Sequence, residues 1–371
     1  MVRGVARAMA RAAGEFDAYL SEHLGSLAAR NYSPATMSGR RRGVMRFAAW
    51  CAERGVSRPQ EVTRAMVERY QRHLFLARKP DGQALAFHTQ AELLVEVKGF
   101  FKWAAKANHV LYNPASELEM PRLPKRLPRY VLARTEIDTI LERCALSGEI
   151  GVRDRAILET FYSTGVRRAE LANLKLYDLD WEAGCVWVRE GKGKKDRVVP
   201  IGERALLWVR RYLDQLRLSL VMEPDEAFLF ISDLGVQYRK NQLSDLTKKY
   251  LRAAGIDRPG ACHLFRHACA THMLEGGADI RFIQTLLGHA DLSTTEIYTR
   301  VSVKKLKEVH SATHPARLER AGDAAGDVEE RGPQPGAENA AGALLDALEA
   351  ERDAEEHDDV GDVPAQGQPA P

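Results

Sequence analysis

The chain has 371 residues, 45% of them hydrophobic and 28% charged, with a formal net charge of +3; that length suits two domains and a tail. No apolar run is long enough to span a bilayer, and the basic start Met1-Val2-Arg3-Gly4-Val5-Ala6-Arg7 lacks the apolar core of a signal peptide, so no membrane partner is expected. Five scattered cysteines without a Cys-x-x-Cys pair argue against a disulfide framework and for reduced thiols in a cytoplasmic protein.

An amphipathic helix is expected over 13–30, with Phe16, Tyr19, Leu20 and Leu24 on one side. Ser33-Pro34 is a helix start, with Ser as N-cap and Pro in the first turn. The helix that follows places Met37, Val44, Phe47, Ala48 and Cys51 on one face, and Gly55 ends it. Arg40, Arg41, Arg42 and Arg46 load this helix with no acid between residues 38 and 52. Such runs are usually solvated, but four arginines without a counter-charge favour phosphate contact. Thr63 caps a helix built on Val67, Tyr70, Leu74 and Leu76, and Pro80-Asp81-Gly82 is a turn. A longer helix runs from about Thr89 to Ala107 on Leu93, Leu94, Val97, Phe100, Phe101 and Trp103, and Asn113-Pro114 stops it. Residues 13–115 thus read as a small domain of four or five helices.

Residues 116–130 form a linker. Its stretch Pro121-Arg122-Leu123-Pro124-Lys125-Arg126-Leu127-Pro128-Arg129 is stiffened by prolines and carries cations without acids, which suits a strap along phosphates. A second domain, 131–315, begins with Thr135 as N-cap. A helix over about 152–162 leads into Thr164-Gly165-Val166-Arg167, where Gly165 allows a tight turn before a new helix. Residues 184–201 change to a two-residue period, Val186 and Val188 on one arm and Arg197-Val198-Val199-Pro200 on the other, with Gly191-Lys192-Gly193-Lys194 as the turn of a β-hairpin. Helices follow near 202–220 and 241–253, then a mostly helical stretch to Tyr298 and a last helix from about Val303. Together these elements give a mainly α chain with a small antiparallel sheet in its second domain.

From Ala321 to Pro371 the chain carries 14 Asp/Glu against two Arg, a net of −12, which leaves +15 on residues 1–320. Residues 316–371 are expected to be a disordered acidic tail, with one short helix on Leu344, Leu345 and Leu348. A globular part that basic favours a polyanion; the bland alternative is a soluble protein with a basic face.

The chemistry gathers between His263 and Tyr298. His263 and Arg266 share a helix face and can grip one small anion, for which the planar Arg fork is suited. His289 follows, and nine residues later Tyr298. A phenol is a weak nucleophile at its ordinary pKa of about 10, so it needs cations to neutralise what it attacks. Arg167, Lys192, His263, Arg266, His289 and Tyr298 together supply what attack on a phosphodiester requires, with no acidic cluster of the Mg²⁺-binding kind. Glu170, three after Arg167, could orient His263 or an Arg. Cys262, His263, His267, Cys269 and His272 offer a competing zinc signal, but two cysteines seven apart on one helix do not match structural zinc spacing, and no metal or cofactor is expected. Phe265, Met273, Phe282 and Ile283 read as core.

The order of Thr164-Gly165-Val166-Arg167 with Glu170-Leu171, Gly191-Lys192-Gly193-Lys194-Lys195, His263-Leu264-Phe265-Arg266-His267, Leu286-Leu287-Gly288-His289 and Tyr298 resembles the tyrosine recombinase (phage integrase) family, and within it the Xer-type enzymes, over about residues 13–315. The resemblance implies a metal-independent site-specific recombinase. Arg167, Lys192, His263, Arg266 and His289 would be catalytic, Tyr298 the nucleophile and Glu170 a supporting residue. It picks Arg167 over Arg168, and Lys192 over Lys194 and Lys195, which become DNA contacts beside Arg40, Arg41, Arg42, Arg46, Lys125 and Arg126. It implies a C-shaped clamp of a helical core-binding domain and a catalytic domain on double-stranded DNA. A homotetramer, or a heterotetramer with a second recombinase, would pass through a Holliday junction and exchange the helix from Val303 to His314. A DNA-binding regulator without chemistry is the alternative.

Overall fold

The computed structural model describes residues 2–79, 82–122, 130–189, 196–288 and 303–315, together with Leu344, Ala347 and Leu348; side chains are described from Glu15 onward, apart from Ala35 and residues 303–306. The chain divides into two units, Met1–Lys125 and Arg126–Pro371.

The first unit is helical: α1 (Val2–Ala28), α2 (Pro34–Ala52), a 3-10 turn (Pro59–Glu61), α3 (Arg64–Leu76) and α4 (Phe87–Lys106). Ser33 caps α2 by accepting from the Thr36 N–H at 3.2 Å. The apolar stripes converge on an aromatic core of Phe16, Phe47, Tyr70, Phe100 and Phe101, with Phe47 edge-on to Tyr70 at 4.9 Å between ring centres. Leu76 departs from the expected core and is exposed, because it lies in the last turn of α3, beyond the packed stripe of Val67, Tyr70 and Leu74. After α4, the Asn113 side chain accepts from the Ala115 N–H at 2.9 Å, the local turn that stops the region at Asn113-Pro114. The tip at Pro80-Asp81 lies outside the described residues.

The second unit starts with α5 (Arg134–Ala145) and α6 (Gly148–Thr164). The cap of α5 is not Thr135, which sits in its first turn; the Glu136 carboxylate instead accepts from the Ala133 N–H at 2.8 Å. Helix α6 is buried on all sides from Ala156 to Thr164 and packs against α5 and against two helices introduced next, which is why it shows no polar stripe. It leads to α7 (Arg168–Asn173), then β1 (Leu179–Asp180), β2 (Cys185–Val188) and β3 (Arg197–Pro200). The sheet is antiparallel in the order β1-β2-β3, with Val186 opposite Val199 and Val188 opposite Arg197. Next come α8 (Glu203–Tyr212), a π turn (Leu213–Arg217) and the short α9 (Leu218–Leu220). The chain continues through α10 (Lys240–Ala253), α11 (Cys262–Glu275), α12 (Ile280–Leu287) and α13 (Val303–Thr313). The neighbours of α6 besides α5 are α8 and α11.

Helix α13 is seated by two stacked, buried histidines whose ring centres lie 4.8 Å apart. His310 donates to the Ser163 carbonyl at 2.7 Å and His314 to the Tyr162 carbonyl at 2.9 Å. Both carbonyls belong to the last turn of α6, where helix oxygens lack intrahelical partners. In the tail, Leu344 and Leu348 are helical and buried within the hydrophobic cluster of the second unit. Their i, i+4 spacing gives one small apolar face, and both belong to the short helix expected within the acidic tail; Leu345 lies outside the described residues. Among the described residues, no helix is long and apolar enough to cross a membrane.

Candidate active site

Gly165 ends α6 in the left-handed conformation, with φ of 59°. A Cβ there would lie 2.8 Å from Leu287 Cδ2, so both the backbone angle and the close approach of α12 demand glycine. The turn delivers Arg167 to the N-terminus of α7, where the Glu170 carboxylate accepts from the Arg167 backbone N–H at 2.8 Å. The same carboxylate accepts from the Arg167 side-chain Nη1 at 3.0 Å. The neighbouring Arg168 points elsewhere: it is buried and donates to Ser244 Oγ at 2.6 Å.

Helix α11 brings His263 and Arg266 to the same region, both buried. The Arg266 guanidinium donates through Nη1 to the Gly165 carbonyl and through Nη2 to the Leu287 carbonyl at 3.0 Å. Arg167 Nη2 donates to the next carbonyl, Gly288, at 3.4 Å. Two guanidinium groups from separate elements thus meet at the C-terminal end of α12, one residue before His289. Helix C-termini carry partial negative charge and unsatisfied carbonyls, which is what draws the cations together.

Of the two partners expected for Glu170, His263 or an Arg, the structure gives arginines. Its carboxylate takes Arg167 and, in a bidentate pair at 2.8 Å and 2.8 Å, Arg197. Burial alone would raise its pKa; hydrogen bonds and charge from Arg197, then the charges of Arg167 and Arg266, overcome this and hold it at about 2. Arg197 was legible only as a strand residue. The usable signal is its position opposite the inward-facing Val188, since cross-strand partners share a face.

Lys192, Lys194 and Lys195 of the hairpin turn, His289, Tyr298 and the linker residues Lys125 and Arg126 lie outside the described residues. On α2, Arg40 pairs with Glu96 at 2.7 Å and Arg41 with Asp17 at 2.7 Å, while Arg42 and Arg46 are exposed. The residues of the zinc signal are engaged in packing. Cys262 Sγ lies 3.3 Å from Thr247 Oγ1, the Tyr162 hydroxyl lies 2.8 Å from His272 Nδ1, and burial pushes the Cys269 thiol up to about 12. Among the described residues, no three His, Cys, Asp or Glu side chains are grouped to hold a metal ion.

The pattern of the phage integrase family matches residues 130–305. The chain is 50% identical over 331 residues to the tyrosine recombinase XerC 2 of Ralstonia nicotianae, covering 89% of this chain and 93% of that protein. It is 37% identical over 269 residues to the tyrosine recombinase XerD of Pseudomonas putida, covering 72% of this chain and 87% of the relative. Among solved structures, the XerH recombinase bound to its difH substrate in a pre-cleavage complex superposes with a TM-score of 0.57 at 18% identity, covering 78% of this chain and 81% of that one, a likeness of fold. The chain therefore belongs to the phage integrase family, among the tyrosine recombinases, which are site-specific DNA recombinases.

Proposed function

We propose that the protein cuts and rejoins double-stranded DNA through Tyr298. The phenolic oxygen bonds to phosphorus and the bond to the 5′ oxygen breaks, leaving a 3′-phosphotyrosine and a free 5′ hydroxyl. His263, alone or with water, takes the phenolic proton, and Lys192 gives one to the departing oxygen. Arg167 and Arg266 hold the two non-bridging oxygens, and His289 donates to a phosphate oxygen. Attack by the 5′ hydroxyl of a partner strand reverses the step and exchanges strands through a Holliday junction. The observation that carries this reading is the convergence of Arg167 and Arg266 on adjacent carbonyls, Gly288 and Leu287, which in sequence immediately precede His289.

In this reading residues 13–115 are a core-binding domain, 116–130 a basic linker, 131–315 the catalytic domain and 316–371 a tail, and the two domains close on duplex DNA as a clamp. Exposed Arg42 and Arg46, then Arg41, Lys125, Arg126, Lys194 and Lys195, contact phosphates; Arg40 is the least available, being turned to Glu96 and the Val95 carbonyl. The working assembly is a cytoplasmic homotetramer on two synapsed duplexes, or a heterotetramer with a second recombinase, and neighbours exchange α13. The complex of XerH with difH supports DNA as the partner.

A suicide substrate nicked at the target tests the reading. The wild-type chain should form a DNA adduct that survives boiling in SDS and persists in EDTA, and Tyr298→Phe should form none. Lys192→Ala should regain cleavage on a 5′-phosphorothiolate, whose leaving group needs no acid. Tight binding without adduct would instead make the protein a DNA-binding regulator on the same fold.

A further inference from the structure

The last three carbonyls of α12 and its cap each meet a different arginine. Leu286 O accepts from Arg197 Nε at 3.1 Å, Leu287 O from Arg266 Nη2 at 3.0 Å, and Gly288 O from Arg167 Nη2 at 3.4 Å. Gly288 leaves room for this: a Cβ there would lie 3.0–3.2 Å from Arg197 Cδ, Nε and Cζ. Arg197 also binds both oxygens of Glu170, the carboxylate that holds Arg167. Its Nε, Nη1 and Nη2 are all directed at protein groups. It opens β3, directly after the hairpin turn that carries Lys192.

Resting on the reading above, we propose that Arg197 is a positioning residue for strand cleavage. It ties together the three segments that carry Arg167, Lys192 and His289. Its fork fixes Glu170, and through Glu170 the plane of the Arg167 guanidinium. Its Nε fixes the end of α12, and so the direction in which the chain leaves toward His289. It also balances charge. With Arg197 present, three guanidinium groups surround one carboxylate; without it, Glu170 draws on Arg167 and Arg266 alone, and the field offered to a phosphate weakens.

The test compares Arg197→Ala, Arg197→Lys and Glu170→Gln with the wild-type chain on the nicked substrate. Single-turnover adduct formation is measured beside duplex binding and thermal unfolding. The expected result for Arg197→Ala is a cleavage rate lower by about 10²-fold, the cost of misplacing a site by about 1 Å, with duplex affinity within about twofold because binding is spread over many phosphates. Arg197→Lys restores the charge but not the fork and should recover only part of the rate. The alanine variant should also gain an acidic limb in its pH–rate profile, because Glu170 loses its bidentate partner and titrates at higher pH. The double variant Arg197→Ala/Glu170→Gln should lose less than the product of the two single losses. If Arg197→Ala fails to fold, the lysine variant decides alone. Wild-type rate in Arg197→Lys, no acidic limb in a folded Arg197→Ala, or cleavage and binding falling together overturns the proposal. Absence of adduct in the wild-type chain would instead overturn the assignment of Tyr298.

Discussion

The two units use arginine in opposite ways. In the first, most guanidinium groups lie on the outside of an aromatic core, Arg40 with Glu96 being half-buried. Arg41 meets Asp17 at 2.7 Å and Arg58 meets Glu15 at 2.9 Å, both pairs well exposed. Such pairs contribute about 0–1 kcal/mol each, so their charge stays available to an outside anion. In the second unit some arginines, such as Arg210 and Arg211, are also exposed, but four are inside. Arg153, Arg168, Arg217 and Arg266 are all buried, each bonded to a carboxylate, hydroxyl or main-chain carbonyl. Arginine as a buried cross-link is thus a feature of the second unit, and among the described residues the arginines around the candidate site, Arg167, Arg197 and Arg266, all cross-link protein groups.

The largest effect that could break this contrast comes from Arg266→Ala. Cleavage should fall by about 10²–10³-fold or more, the usual loss for a donor aimed at transition-state charge, while duplex binding stays within a few-fold. A filter-binding assay run beside the adduct assay checks this, and parallel loss of binding would remove the distinction. Next comes Arg217→Ala, which strips two bonds to Asp225 at 2.9 Å and 2.9 Å and two to the Phe228 carbonyl at 3.1 Å and 2.8 Å. Asp225 is exposed, so the main cost is the Phe228 carbonyl left without its donors, about 1–3 kcal/mol, readable as a lower urea midpoint.

A smaller effect concerns the seat of α13. Burial, then neighbouring His310, with Arg204 and His272 adding, holds His314 well below the ordinary histidine range, against the opposing hydrogen bond to Tyr162. The unfolded histidine takes up a proton near pH 6.5 and the seated one does not. The stabilisation is thus fully present above about pH 6.5 and declines below it. Hydrogen exchange of α13 amides, corrected for intrinsic rates, should speed up between pH 7.5 and 5.5, and His314→Gln should flatten that dependence. A still finer test is the salt slope of duplex binding. Arg42→Ala with Arg46→Ala should reduce it by about two counterions, whereas Arg40→Ala, which removes an already paired charge, should barely change it. Equal changes would show that pairing in the free protein does not predict use on DNA. The smallest effect is Arg41→Ala, expected to alter stability by less than about 1 kcal/mol.

Local periodicity made most elements legible. The alternation of Val186 and Val188 announced the hairpin, and Ser33-Pro34 announced α2. Spacing also put His263 and Arg266 on one helix, as α11 does. What sequence could not supply was partnership across distance. Arg197 looks like an ordinary strand residue because its role depends on Glu170, 27 positions earlier, and Leu286, 89 positions later. Glu170 stood out beside Arg167, but whether it faced a histidine or an arginine depended on where β3 returned. Thr135 has the right chemistry for a cap and lost that place to the Ala133 backbone because Glu136 reaches back to it. Leu344 and Leu348 were legible as one turn of helix within the acidic segment, but not that they would pack into the core of the second unit.

The histidine seat of α13 has a geometric corollary. Tyr298 is five residues from Val303, where that helix begins, and ten from Gly288. At most about 3.5 Å per residue, the phenol's backbone is leashed within roughly 17 Å of one anchor and 35 Å of the other. His310 and His314 fasten the first of these anchors to the last turn of α6 in the same chain. In the proposed reading, a helix exchanged between neighbours would have to release the Ser163 and Tyr162 carbonyls first, so mixing Arg167→Ala with Tyr298→Phe chains should restore cleavage more readily once His314→Gln loosens the seat.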